Sequence, residues 1–236
     1  MRKNKKNALI IFIKAPRLGE VKTGLQPDLT LEESLLIYQA MVEDLINQLD
    51  STAFCDVKLF FSPPDAENEI KMWLGLNHEL YPQKGADLGE RMFEAMADIF
   101  KEGYKKVVLI SSDATAIDTT TLVRAFSNLD DYDIVLGPNV DGGYYLIGSK
   151  KLQPLLFKEI VWNTNFVLEH TIKKARKLKL DVMQLEIKSN IEAYDDLVEL
   201  WHYLKRRNVP GKFNYKSETY NVLKKLFAKE KVLGYQ

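Results

Sequence analysis

The sequence predicts an α/β fold, a mainly parallel sheet with helices on both faces, of the Rossmann-like kind. Three observations predict it. Short runs rich in apolar and β-branched residues recur at 8–13, 57–61, 107–111 and 134–137, and each reads as a strand buried on both faces. Helical patterns separate them, and strand, helix, strand, helix, strand in that order implies right-handed crossovers between parallel strands. The chain's 236 residues, 46% of them hydrophobic and 11% aromatic, suffice for a sizeable core.

Taken in order, the basic start at residues 1–6 resembles the charged region of a signal peptide, but the apolar run behind it is short and ends at Lys14, so it reads as the first strand. The first helix spans 31–49, with Leu35, Leu36, Met41, Val42, Leu45, Ile46 and Leu49 apolar and a capping box of Thr30 and Glu33 at its start. The second strand follows at 57–61. A second helix opens at Asp87 with Glu90 in the capping position, carries Met92, Met96 and Ile99, and stops at Gly103, a residue suited to a helix C-terminus. It leads straight into the third strand. Beyond Gly137 the pattern loosens: strands are expected at 144–148 and 182–185, helices at 164–178 and 192–206. A lysine-rich helical pattern at 217–231 closes the chain. The expected organisation is one domain over 1–206 with a C-terminal helical appendage over 207–236.

Lysine plus arginine balance aspartate plus glutamate at 33 each, so no net field draws the chain to nucleic acid and any anion site must be local. No stretch approaches the roughly 18 uncharged apolar residues of a membrane span. The lone Cys55 cannot form an internal disulfide, and its apolar neighbours mark it as a buried small hydrophobe. A cytoplasmic protein is the expectation. His78, His170 and His202 lack metal-ligand spacing and read as structural or surface residues.

Three segments carry chemistry. The first, Lys14-Ala-Pro-Arg17-Leu-Gly19-Glu-Val-Lys22-Thr23, follows the first strand. Gly19 permits close backbone approach, and Lys14, Arg17 and Lys22 offset negative charge, which is what a nucleotide diphosphate requires. The glycine and lysine spacing is not that of the Walker loop. In the second segment a buried strand ends on Ser111-Ser112-Asp113. A carboxylate there suits Mg²⁺ or Mn²⁺, while the competing reading is a cap on helical sequence near 122–126, which Ser112, Asp113 and Asp118 all precede. The third is Gly137-Pro-Asn-Val-Asp141-Gly142-Gly143-Tyr144-Tyr145. Its glycines fit a hairpin turn, and in a substrate pocket they would admit a bulky group, with Asp141 binding sugar hydroxyls or a metal-bound water.

These runs, with Gly85-Ala-Asp87-Leu-Gly-Glu90-Arg91-Met92, Trp162-Asn163-Thr164 and Asn190-Ile-Glu192-Ala-Tyr-Asp-Asp196, appear in an order that resembles the bacterial radical-SAM/selenodomain-associated transferases, or arsenosugar-biosynthesis-type glycosyltransferases, over about residues 8–200. The resemblance implies the GT-A-like fold of nucleotide-diphospho-sugar transferases. It implies that Lys14, Gly19 and Lys22 contact the nucleotide phosphates and that Asp87, Glu90 and Arg91 lie near the nucleotide, while Arg17 can substitute for a missing phosphate-binding cation and Asp87 with Glu90 also reads as a capping box. It places Asp113 as the catalytic metal ligand for Mg²⁺ or Mn²⁺, Glu192 as a second ligand, and Asp141, Gly142, Gly143, Tyr144 and Trp162 in the sugar or acceptor region.

Three departures stand out. Gly24 occupies the place of an arginine in the family's Lys-Thr-Arg-Leu, Thr115 that of a proline after Asp113, and Asn190 that of an aspartate in a late Asp-x-Asp-Thr. The expected function is metal-dependent transfer, of a sugar in the preferred version, from a nucleotide-activated donor to a small-molecule acceptor. Nucleotidyl transfer on the same scaffold is the alternative, and a catalytically degenerate nucleotide-binding member is a third reading.

Overall fold

The computed structural model describes residues 6–50, 52–112, 117–207 and 217–232. The chain divides into two compact units, Met1–Ala15 with Leu49–Asn190, and Pro16–Gln48 with Ile191–Gln236.

The first unit holds the sheet. Its strands are β1 (Asn7–Lys14), β2 (Asp56–Ser62), β3 (Leu80–Pro82), β4 (Lys106–Ser111), β5 (Ile134–Pro138), β6 (Tyr144–Ser149) and β7 (Val182–Gln184), in the spatial order β3-β2-β1-β4-β6-β5-β7. Only β6 runs against its neighbours; the other pairs are parallel. The expected mainly parallel sheet is present. Every residue of β1 from Ala8 to Ile13 is buried, which explains why the strand reads as a continuous apolar run rather than an alternating one.

Ala8, Ile10 and Phe12 join a core on one face with Met92, Ala95, Met96 and Ile99 of helix α3 (Leu88–Lys101) and Ala175 of α5 (Val167–Lys177). On the other face, Leu129, which ends helix α4 (Thr119–Asn128), and Val108 both close on Gly148, where an added Cβ would lie 3.2 Å from each side chain. Gly103 sits at φ +96° and its N–H donates to the Phe100 carbonyl, which is the expected helix stop.

Two elements of this unit have no counterpart in the sequence reading, β3 and α2 (Glu67–Leu74). β3 has three half-buried residues, one a proline, and α2 buries only Ile70, so neither offers a period long enough to read. Helix α5 starts three residues later than expected. Asn163 takes a left-handed φ of +61°, and the chain turns through 164–166 before the helix begins. Cys55 is half-buried, and burial pushes its thiol up to about 11, so it stays protonated at neutral pH.

The second unit is helical. It contains most of α1 (Leu31–Asp50), α6 (Tyr194–Arg207) and α7 (Glu218–Val232). The Thr30–Glu33 capping box forms as expected, with the Glu33 N–H donating to the Thr30 hydroxyl and the Thr30 N–H to the Glu33 carboxylate. The buried stripe of α1 runs through Ile37 and Met41, which pack with Leu25, Ile191, Leu197 and Leu223, whereas Leu36 is 52% exposed. Trp201 stacks on Phe227 and contacts Tyr220, joining α6 to α7. Among the described residues, no helix is long and apolar enough to cross a membrane.

Candidate functional site

In the first unit the parallel strands end along one edge, where open α/β sheets take their ligands. Lys14, exposed, is the last residue of β1 and pairs with Ser62 at the end of β2. Gln83, immediately after β3, is buried and ties these ends together: its N–H donates to the Phe61 carbonyl, and its side-chain amide donates to Phe60 at 2.9 Å and Ile13 at 3.4 Å. Nothing in the sequence around Gln83 marks it, because its partners are all backbone carbonyls on other strands. The Ser112 N–H continues the ladder to Phe12. Asp113, the expected metal ligand, lies outside the described residues, as does Thr115.

The turn into α3 comes next on this edge. Asp87 caps the helix, accepting the Glu90 N–H at 2.8 Å, and Glu90 reaches back to the Ala86 N–H at 2.8 Å. The capping reading of this pair therefore holds, with the return bond one residue earlier than in the usual box. The Arg91 guanidinium donates to the Gly85 carbonyl at 3.2 Å. Gly85 needs its lack of a side chain: φ is +132°, and a Cβ would come within 2.7 Å of the Arg91 nitrogen. Gly89 seats Trp162, whose indole would lie 2.4 Å from a Cβ at that position.

The Asp141-Gly142-Gly143 turn joins β5 to β6. Asp141 accepts the Gly143 N–H at 2.7 Å, a local Asx turn. Gly142, at φ +85°, leaves no room for a side chain against the Asn165 carbonyl, and its own carbonyl accepts the Leu168 N–H at 2.9 Å. The hairpin is thereby clamped to the turn that carries Trp162. Tyr144 and Tyr145, adjacent in β6, point to opposite faces, and the register shift at Gly137/Pro138 leaves Tyr145 as the extra residue between the paired Tyr144 and Leu146. Tyr145 lies over Gly137 and donates to the Glu186 carbonyl, while Tyr144 packs against the core below α3 and α5. Burial pushes both phenols up, Tyr145 to about 12 and Tyr144 further, so both are neutral at physiological pH.

In the first unit, then, the α3 turn of Asp87 and Arg91, the Asp141-Gly142-Gly143 hairpin and the Trp162 turn are tied together through Gly89 and Gly142, Lys14 ends β1, and Tyr144 turns into the core. In the second unit, Arg17 accepts the Glu20 N–H in a turn that sets Gly19 at φ +77°. Lys22 is left-handed at φ +48°, and its ammonium donates to the Ile191 carbonyl at 2.8 Å. Glu192 follows, exposed, with its N–H held by the Asp196 carboxylate. Its carboxylate is a hard oxygen donor of the kind Mg²⁺ and Mn²⁺ accept. Among the described residues no group of three or more His, Cys, Asp or Glu is placed to hold a metal ion.

Residues 45–164 match the family described as "uncharacterized protein conserved in bacteria (DUF2064)". A comparison with curated proteins found no match. Among solved structures, a protein of Desulfovibrio desulfuricans G20, described provisionally as a nucleotide-diphospho-sugar transferase, is 34% identical; the match covers 95% of this chain and 96% of that one with a TM-score of 0.85. The 4-diphosphocytidyl-2C-methyl-D-erythritol synthase of Anaerococcus prevotii DSM 20548 is 14% identical over 86% of this chain and 97% of that one, with a TM-score of 0.58. A cytidylyltransferase of Leptospira borgpetersenii is 12% identical over 98% of each chain, with a TM-score of 0.51. At such identities the latter two share the fold alone. The sheet and helices described above are those of the nucleotide-diphospho-sugar transferase, GT-A-like, fold.

Proposed function

The chain belongs to the DUF2064 family, and from that premise we propose that it is a transferase using a nucleotide-activated donor, moving a group, a sugar in the preferred version, to a small-molecule acceptor. The observation that carries this reading is the closing of three separate motifs on one another at the C-terminal edge of the sheet: Gly89 of the first beneath Trp162 of the second, and Gly142 of the third against Asn165 and Leu168 of the second. Motifs held together by glycine-dependent contacts make a preorganised surface, which binding and transfer both require. The Desulfovibrio protein supports the same reading.

In this reading Lys14, Arg17 and Gly19 receive the donor phosphates through cationic charge and loop amides, Lys22 closes the same loop through its bond to the Ile191 carbonyl, and Asp87 and Arg91 brace the nucleotide end. Trp162 forms the wall of the acceptor region. Asp141, with one oxygen fixed by the Gly143 N–H, offers the other to a sugar hydroxyl. Asp113 and Glu192 are the carboxylates that would hold Mg²⁺ or Mn²⁺, an ion that offsets charge on a departing diphosphate when bound. The finer likeness to arsenosugar-type enzymes belongs to this proposal and rests on the sequence motifs alone.

Calorimetric titration with UDP, GDP and CDP, with and without Mn²⁺, tests it. Metal-dependent binding of at least one is expected, and the absence of binding to all three would sink it. Nucleotidyl transfer, for which the cytidylyltransferase folds give a structural parallel, is separated by its product: it releases pyrophosphate from a nucleoside triphosphate, and sugar transfer does not.

A further inference from the structure

One of the sequence departures, Gly24, lies in the second unit against Glu192. Gly24 lies so close to the entry of α6 that a Cβ would stand 2.1 Å from the Glu192 carbonyl oxygen and 3.2 Å from its carbon. No rotamer relieves this, since the Cβ is fixed by the backbone and the obstacle is itself backbone. The arginine that the family pattern places at 24 therefore cannot be installed without displacing residue 192.

The same stretch is held from three further directions. Lys22 donates its ammonium to the Ile191 carbonyl at 2.8 Å. The Asp196 carboxylate accepts the N–H groups of Glu192 and Ala193 at 2.9 and 2.8 Å. Leu25, at the end of the 3-10 turn Thr23–Leu25, is buried in one core with Ile191 and Leu197. The backbone around Glu192 is thus held by hydrogen bonds at the Ile191 carbonyl and at the Glu192 and Ala193 amides, with Gly24 against the Glu192 carbonyl, while the Glu192 side chain is exposed.

We propose that Lys22 and Gly24 are positioning residues for Glu192: the glycine admits the close approach, the lysine pins the preceding carbonyl, and together they fix the backbone from which the Glu192 carboxylate is offered to a divalent cation. The inference deepens the proposed function and rests on it. It also makes Gly24 a steric requirement of the packing against the Glu192 backbone rather than a simple loss of an arginine, which argues against the degenerate reading. A lysine acting through a neighbour's backbone differs in a measurable way from a lysine touching phosphate, because only the latter contributes independently of Glu192.

The test uses the full chain with Lys22→Met, Gly24→Ala, Glu192→Gln and the Lys22→Met/Glu192→Gln pair. Without any nucleotide, amide hydrogen exchange at Glu192 and Ala193 should accelerate about tenfold in Lys22→Met and in Gly24→Ala, with the β1 and β4 amides unchanged as the control for folding. Lys22→Arg, which keeps a donor, should retain the protection. In Mn²⁺-dependent binding of UDP, GDP or CDP, the double variant should be no weaker than Glu192→Gln alone. Losses that multiply, about tenfold for each change, would overturn the proposal in favour of direct phosphate contact. Unchanged exchange in Lys22→Met and Gly24→Ala would overturn it as well. If the wild type binds none of the nucleotides, the transferase reading fails, and the exchange data still decide whether Lys22 and Gly24 hold residue 192.

Discussion

The carboxylate of Asp44, midway along α1, accepts the hydroxyl of Ser217 at 2.7 Å and the N–H groups of Glu218 and Thr219 at 2.8 and 2.9 Å. An acid from a distant helix thus caps the first turn of α7, and the Ser217 hydroxyl accepts the Tyr220 N–H as a second cap. Asp44→Ala should cost about 1–2 kcal/mol, in the range for loss of an N-cap. The loss should concentrate in α7, so hydrogen exchange over 218–228 should rise while the sheet stays protected. Asp44→Asn, which keeps an acceptor, should cost less. Equal effects of the two substitutions would show that the contact is incidental.

How much of this was legible in the sequence depends on the range of the interaction. The sheet strands were readable because burial on both faces leaves unbroken apolar runs, as in β1 and β4. The Thr30–Glu33 and Asp87–Glu90 boxes were readable because both partners lie within one turn. The seat of Trp162 on Gly89, the Gly24–Glu192 approach and the Asp44 cap on α7 join residues far apart in sequence, and no local period encodes them. The motif glycines could be noticed, but whether each serves a turn or a neighbour depends on packing. Gly85 and Gly142 combine positive φ with a close neighbour, whereas Gly89 and Gly137 are purely steric. Leu36 shows the converse error. It fits an apolar helical repeat, but the buried stripe passes through Ile37 instead.

Gly89→Ala sets two effects against each other. Alanine is a better helix former by up to about 1 kcal/mol. A Cβ there, however, would fall 2.4 to 2.5 Å from the Trp162 indole, and forcing a methyl into a packed position costs about 1–3 kcal/mol. The steric term should win, giving a net loss in urea unfolding together with altered fluorescence from a displaced Trp162. A variant more stable than wild type would show that the indole moves aside freely and is no fixed wall of the site.

Asp118 caps α4, accepting the Thr121 N–H and hydroxyl, both at 2.8 Å. Partial burial pushes its carboxyl up, but the Thr121 donors and the charge of Lys188 outweigh this and hold it below its ordinary value of 3.8. A depressed folded-state pKa contributes stability that is fully present above the unfolded value and disappears as pH falls through the folded one. Asp118→Asn should therefore be less stable than wild type at pH 7, and the gap should close between about pH 4 and lower values. Urea unfolding at pH 7, 5, 4 and 3 checks it. A gap that persists unchanged at pH 3 would rule out the charged cap as its source.

Lys58, buried in β2 far from the strand ends that form the site, places its ammonium on Glu79, 3.5 Å from Glu102, and over the rings of Tyr81 and Tyr104 at 5.7 and 5.6 Å. Burial, reinforced by hydrogen bonds to carboxylates, pushes both phenols up, so Tyr81 stays a donor to Glu102 and Tyr104 to Asp56. Removing one member of a buried ion pair typically costs about 3–5 kcal/mol, because the partner is stranded. Here the carboxylates are only partly stranded, since the Glu79 side chain is 63% exposed and that of Glu102 28%. Water takes up much of their charge, and Lys58→Met, which keeps most of the stem, should cost about 1–2 kcal/mol. Lys58→Ala adds a cavity among Tyr81, Tyr104 and the β2 neighbours and should cost more. Nucleotide binding should be unchanged in Lys58→Met, because the network sits at the opposite end of its strand from Ser62. Stability equal to or above wild type in Lys58→Met would mean that desolvating the ammonium already offsets everything its partners contribute.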